Sequence, residues 1–293
     1  MRIVSLSDIH LDINLKRKDN KFHRKLVNFL CDVKADTLII AGDIAGNTRL
    51  LIEFFELSRS IPIENKIYVP GNHDLYVNQA ADNLSTIKYY EILPTITEQY
   101  DWNYLPKDPF VIDNIQFAGT IGWYDYSSRN KIWDDQIPLK QYIAKKHPNH
   151  NLELMDRHFV KFGKSDEQMS QQFTSDLLKD LAYIDRRYDY DEIDHTVIVS
   201  HMVPFREFIP YRGLVQYDFF TAYFGNLNLG DTILNYSQNR EVTTIFGQVH
   251  IPKSKRLTPN LMGYCVPIGY PREYGRNLPL DDLFRNRVQI FDL

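Results

Sequence analysis

This chain predicts an α/β fold in which helices cover the faces of a sheet. Three observations predict it. Short β-branched runs alternate with stretches of helical spacing over the first 74 residues. Each of those runs ends in polar residues, and ligands in sheets of this kind bind beyond the carboxyl ends of strands. The chain has 293 residues, 43% of them apolar and 25% charged, which suffices for one large core.

Arg2 to Ser7 reads as the first strand. Phe22, Leu26, Leu30 and Val33 recur at helical spacing, which predicts a helix over about residues 21–34. Asp36 to Ala41 is a buried strand, Leu50, Leu51, Phe54, Phe55 and Leu57 mark a second helix, and Lys66 to Val69 is a third strand. Strands alternating with helices suggest βαβ units. Phe110 to Thr120 reads as a hairpin that turns at Asp113-Asn114. Residues 121–165 are rich in Tyr, Trp, Lys and His with weak periodicity, and a long irregular stretch of this kind is usually functional. Lys140, Lys145 and Lys146 read there as a solvated face. Met169, Phe173, Leu177, Leu181 and Ile184 mark a long amphipathic helix, and Thr196 to Ser200 is a strand. Residues 205–224 hold eight aromatics, which read as core or cap packing in preference to a base-stacking platform. Short strands follow, ending at Val288 to Phe291. With no repeat, low-complexity tract or linker, residues 1–293 read as one domain with a cap inserted at about 121–190 and 205–225.

Composition narrows the function classes. The net charge of −4 argues against a protein that coats duplex nucleic acid. Cys31 and Cys265 read as two buried free thiols, with no disulfide framework and no thiolate metal site. No apolar stretch approaches the ~18 residues of a membrane span. There is no pattern of basic start, apolar middle and cleavage site, so a cytoplasmic setting is expected.

Five short motifs close five apolar runs: Asp8-Ile9-His10, Gly42-Asp43, Gly71-Asn72-His73-Asp74, His201, and Gly247-Gln248-Val249-His250. Their donors are carboxylate, imidazole and amide, which suit Mn²⁺, Fe²⁺ or Zn²⁺. One carboxylate can bridge two ions about 3.5–4 Å apart. Any single motif is weak. Asp156-Arg157-His158 is also D-x-H and Gly230-Asp231 is also G-D, yet neither follows a β-branched strand, so both read as surface or helix-terminus residues. His23, His147, His150, His158 and His195 match no motif and read as solvent-facing or second-layer residues.

In this order the motifs resemble the calcineurin-like metallophosphoesterase family, whose pattern runs D-x-H, G-D, G-N-H-D/E, a single H, then G-H-x-H. The resemblance covers residues 8–250. It implies a four-layer αββα sandwich of two mixed sheets flanked by helices. It implies that Asp8, His10 and His250 hold a first metal, that Asp43 bridges both metals, and that Asn72 and His201 hold the second. His73 resembles the family's non-ligand histidine beside the leaving group, and Asp74 is a candidate to orient it. Gln248 stands where the family has a further histidine ligand. A neutral amide oxygen is a weaker donor than imidazole, so the second ion is expected to be held more loosely. The implied activity is hydrolysis of a phosphate ester by a metal-bridging hydroxide, with His73 as leaving-group acid and two divalent ions (Mn, Fe or Zn) as cofactors. Related phosphoesterases carry a Trp-x-Asp-aromatic segment after the strand that ends here near residue 120. Trp123, Tyr124 and Asp125 are therefore candidates, with Asn72, to contact substrate; packing is the equal alternative for the first three. The expected partner is a small phosphate ester and not a membrane. A phosphodiesterase or nuclease acting on a nucleotide or nucleic acid stays open, as does a non-catalytic scaffold, which loss of several ligands would mark.

Overall fold

The computed structural model describes residues 1–78, 84–188 and 192–293. Two mixed sheets stack face to face. The first contains β1 (Arg2–Leu6), β2 (Thr37–Ala41), β3 (Asn65–Val69) and β4 (Asn103–Tyr104). The second contains β5 (Phe110–Ile112), β6 (Ile115–Thr120), β7 (His195–Ser200), β8 (Glu241–Phe246), β9 (Lys253–Thr258) and β10 (Leu261–Cys265), while β11 (Gln289–Asp292) returns to the first. The orders are β11-β1-β2-β3-β4 and β5-β6-β7-β8-β10-β9. β1 to β4 run parallel, as do β6, β7, β8 and β10, whereas β11, β5 and β9 are antiparallel edges.

Side-chain alternation builds the layers, because successive residues of a strand point to opposite faces. Ile3, Ile39, Ala41, Ile67 and Val69 meet Phe117, Val197, Val199 and Ile245 between the sheets. Val4, Leu38, Ile40 and Tyr68 point the other way, onto Leu26 and Leu30 of the helix Phe22–Asp32 and onto Phe54 and Phe55 of Thr48–Ser58. Ala118, Ile198 and Phe246 pack outward against Leu177, Leu181, Leu229 and Ile233. Strands buried on both faces read as continuous apolar runs, which is why T-L-I-I-A has no polar alternation.

The hairpin turns at Asp113-Asn114 as expected, with Asp113 at φ 54°. Other expectations are adjusted. The helix Asp166–Arg187, expected within the cap, lies on the second sheet through Leu177 and Leu181 as a layer of the sandwich. Residues 189–190 of the expected cap lie outside the described residues. Lys145 is not on a solvated face; its ammonium pairs with Asp166 at 2.7 Å. Cys265 is buried, but Cys31 is only half-buried. Among the described residues, no helix is long and apolar enough to cross a membrane.

Phe55 is fully buried, edge-on to Tyr68 at 5.3 Å and to Trp102 at 5.4 Å. Phe55→Ala is expected to destabilise the chain by about 3–5 kcal/mol, read as a lower urea midpoint. A shift under about 1 kcal/mol would mean that the helix Thr48–Ser58 does not depend on this contact.

Candidate metal centre

The five motifs converge at one edge of the sandwich, where the two sheets are stitched together. Ser7, just after β1, donates its N–H to the carbonyl of Val266, just after β10. The turns that follow the strands are tight. Asp8, His10, Asp43, Gln248 and His250 all have positive φ, between 41° and 70°, and make up five of the nine non-glycine residues with positive φ among those described. Each such conformation costs on the order of 1 kcal/mol or more, and clustering of this strain marks functional sites. Gly71 has to be glycine, because a Cβ there would overlap Asp43 Oδ1 and the Asp43 N–H.

Asp43 is central. Its Oδ2 lies 3.5 Å from His201 Nε2, 3.6 Å from His10 Nε2 and 4.0 Å from His73 Nε2. Its Oδ1 accepts the His73 N–H at 2.9 Å. Asp8 Oδ1 is 3.2 Å from His250 Nε2 and 3.9 Å from His10 Nε2, and the two imidazole Nε2 atoms are 3.0 Å apart. Among the described residues, three triads with one donor atom each are thereby gathered: Asp8, His10 and His250; His10, Asp43 and His73; and Asp8, Asp43 and His201.

The donor set fits two cations. Burial presses the imidazole of His201 down, but the carboxylate of Asp43, helped by Asp8, outweighs it and raises the group to about 10. His250 is likewise pressed down by burial and lifted by Asp8 and Glu273, to about 9. His10, further from compensation, is lowered by burial and by the His73 imidazole. Buried carboxylate charge strong enough to hold protons on two imidazoles is charge that attracts metal. Asn72 Oδ1 is buried without a hydrogen-bond partner, which suits a ligand atom. Gln248 donates through Nε2 to the carbonyl of Tyr223 at 3.1 Å, so Oε1 is the end that faces His201 Nε2, at 2.9 Å. The amide thus presents its oxygen to the site.

Residues without a motif complete the centre. Glu273 Oε2 is 2.7 Å from His250 Nδ1, the carboxylate–imidazole pairing that orients metal-bound histidines. Tyr76 stacks on His73 at 4.5 Å, and Tyr270 packs on both His10 and His250 at 4.5 Å. The buried Asp156, read as a surface or helix-terminus residue, does begin the short helix Asp156–Phe159, yet it accepts the Asn72 amide at 2.8 Å and the Tyr76 hydroxyl at 2.9 Å.

Other candidates lie elsewhere. Asp74 does not reach the His73 ring. Its carboxylate accepts the N–H groups of Asp43, Gly71 and Ala45 at 2.7, 2.9 and 3.0 Å, which shapes the two ligand-bearing loops. Burial and the neighbouring Asp43 charge raise it to about 6 against those bonds. Trp123 and Tyr124 are fully buried in the cap, where the Trp123 indole donates to Asp166 at 2.8 Å. Asp125 accepts from Ser127 and Asn228. None of the three lines the cleft over the centre, whose volume is ≈570 Å³. Leu154, Met155, Tyr217, Phe220 and Phe224 line the cleft together with the motif residues.

A family model described as calcineurin-like phosphoesterase matches residues 1–229, ending before Gln248 and His250. Solved structures share the fold. Phosphopantetheinyl hydrolase from Mycobacterium tuberculosis superposes with a TM-score of 0.69 at 19% identity, covering 99% of this chain and 95% of that one. A dimetal phosphatase from Danio rerio gives 0.54 at 14% identity, covering 91% and 87%. No curated protein matches the chain in sequence.

The placement of Trp123 yields a test. Trp123→Phe leaves the buried Asp166 short of a donor and should cost about 1–3 kcal/mol. KM for a small ester should not move. A changed KM with unchanged melting temperature would put this side chain in the substrate site.

Proposed function

Because the chain belongs to the calcineurin-like phosphoesterase family and is a metal-dependent phosphoesterase, we propose that it hydrolyses a small phosphate ester at a two-metal centre held by Asp8, His10, Asp43, Asn72, His201, Gln248 and His250. The observation that carries this is the convergence of carboxylates and imidazoles on Asp43 Oδ2. In this assignment Asp8, His10 and His250 would hold the first ion, Asn72, His201 and Gln248 would hold the second, and Asp43 would serve both. Divalent ions there would polarise phosphoryl oxygens and activate water near neutral pH; Mn, Fe and Zn all suit the donors.

The chain's own residues do the rest. His73 supplies the leaving-group proton. Its Nε2 faces Asp43 Oδ2, 4.0 Å away, while Nδ1 is buried without a hydrogen-bond partner. Tyr76 stacked beneath the ring and the His73 N–H on Asp43 fix that direction. The apolar cap wall excludes water from one side. Asp74 acts through the loops and not on the proton.

Arg272 is the one lysine or arginine lining the cleft among the described residues, at its mouth beside Tyr270. Nucleic-acid channels carry many such charges, so the small ester is preferred over a nuclease substrate. The near-complete ligand set argues against a non-catalytic scaffold. The two free cysteines support a reducing, cytoplasmic setting.

Asp43→Asn is expected to keep the fold and lose most bound metal and turnover, measured by atomic emission and a nitrophenyl phosphate assay. Near-normal metal content in that variant would refute the ligand assignment. His73→Ala should keep its metal but slow turnover about 10²–10⁴-fold on esters with poor leaving groups, and less on nitrophenyl esters, which need little protonation. Equal losses on both would show that His73 serves another purpose.

A further inference from the structure

We propose that the cap builds the second metal position: Asp156 and the Tyr223 carbonyl turn the amide oxygens of Asn72 and Gln248 inward, so that this ion binds tightly only when the cap is docked. The proposal rests on the metal assignment above and adds what controls one of its two positions.

An amide ligand has a problem that a carboxylate lacks. Its two ends are alike in shape and opposite in charge, and a flip would aim N–H donors at a cation. Something must hold the amide by its nitrogen. For Asn72 that is Asp156 Oδ1, at 2.8 Å, and the Asn72 oxygen is left buried without a protein partner. For Gln248 it is the main-chain carbonyl of Tyr223, at 3.1 Å. Asp156 belongs to the first cap insertion and Tyr223 to the second.

Both insertions are docked beside the site. The Asp156 segment is pinned by the Tyr76 hydroxyl at 2.9 Å, by the Val77 N–H on the Phe159 carbonyl at 2.8 Å, and by Phe159 stacked on Tyr76 at 5.2 Å. The Tyr223 hydroxyl donates to the Tyr142 carbonyl at 3.0 Å, tying the second insertion to the first. The first metal position has no such dependence. His250 is oriented by Glu273 and Asp8 by Ser7, and neither partner is in the cap.

The test is calorimetric titration of metal-free protein with Mn²⁺. Wild type should bind two ions. Asp156→Ala should weaken the second at least tenfold and leave the first unchanged. Asp156→Asn, which keeps an acceptor for the Asn72 amide, should bind both within about threefold of wild type. Asp156→Leu fills the space without an acceptor and should behave like Asp156→Ala, covering the case in which the smaller residue unfolds; melting curves report the fold of each. Equal affinities in wild type and Asp156→Leu would overturn the proposal, as would parallel weakening of both ions. A wild type that binds a single ion would overturn the two-metal reading itself, and the proposal with it.

Discussion

The carboxylate of Asp43 sets the terms for everything around it. It is buried at the edge where the two sheets meet, with three imidazoles within 4.0 Å of one oxygen and a backbone N–H on the other. A charge in that position is strongly penalised by burial and survives only through positive partners. The surrounding imidazoles hold Asp43 well below the usual carboxylate range, while the same charge raises the neighbouring Asp74. The residues from four strand ends are thus coupled electrostatically, and none of them can be understood alone.

The sandwich makes this concentration tolerable. Its two parallel blocks send their strand ends toward one edge, so residues far apart in sequence need only a short turn to meet. The turns are strained, with five ligand-region residues in the left-handed conformation. Asp74 offsets part of that strain by tying three N–H groups of two loops into one carboxylate. The aromatic layers on the helix side, from Phe55 to Phe284, supply burial that lets a strained edge persist.

Legibility in the sequence followed how local each signal was. β-branched runs ending in Asp, His or Gly are local patterns, and the strands came through with boundaries shifted by a residue or two, with the motif residues gathered at their ends. Glu273 and Asp156 carried no such signal. Glu273 sits in the first turn of a short helix after Pro271, a pattern that marks a helix start and not a histidine partner. Asp156 stands beside Arg157 and His158 and reads as a surface or helix-terminus residue; it does begin a helix, but it is buried against Asn72 and Tyr76. Trp123 left packing and substrate contact as equal readings for the opposite reason. The strand before it ends where expected, and Trp123 and Tyr124 then turn into a packed aromatic cluster, which a pattern search cannot see.

The two proposed metal positions differ in kind. The first has imidazoles from His10 and His250 with the carboxylate of Asp8; the second has one imidazole, His201, and two neutral amides, with Asp43 shared. Imidazole favours Zn²⁺ and Fe²⁺, whereas carbonyl oxygens favour harder ions such as Mn²⁺. On the proposed assignment, Gln248 in place of a histidine would do more than weaken a ligand. It would shift the second position toward oxygen and would transfer control of that position to whatever holds the amide. A histidine can be oriented by a neighbour outside these insertions, as Glu273 pairs with His250. Gln248 is oriented by Tyr223, between the two cleft-lining residues Phe220 and Phe224. The proposed assignment would therefore put a cleft-lining wall and the bond that holds Gln248 in one segment, so substrate contact and metal affinity would be mechanically joined.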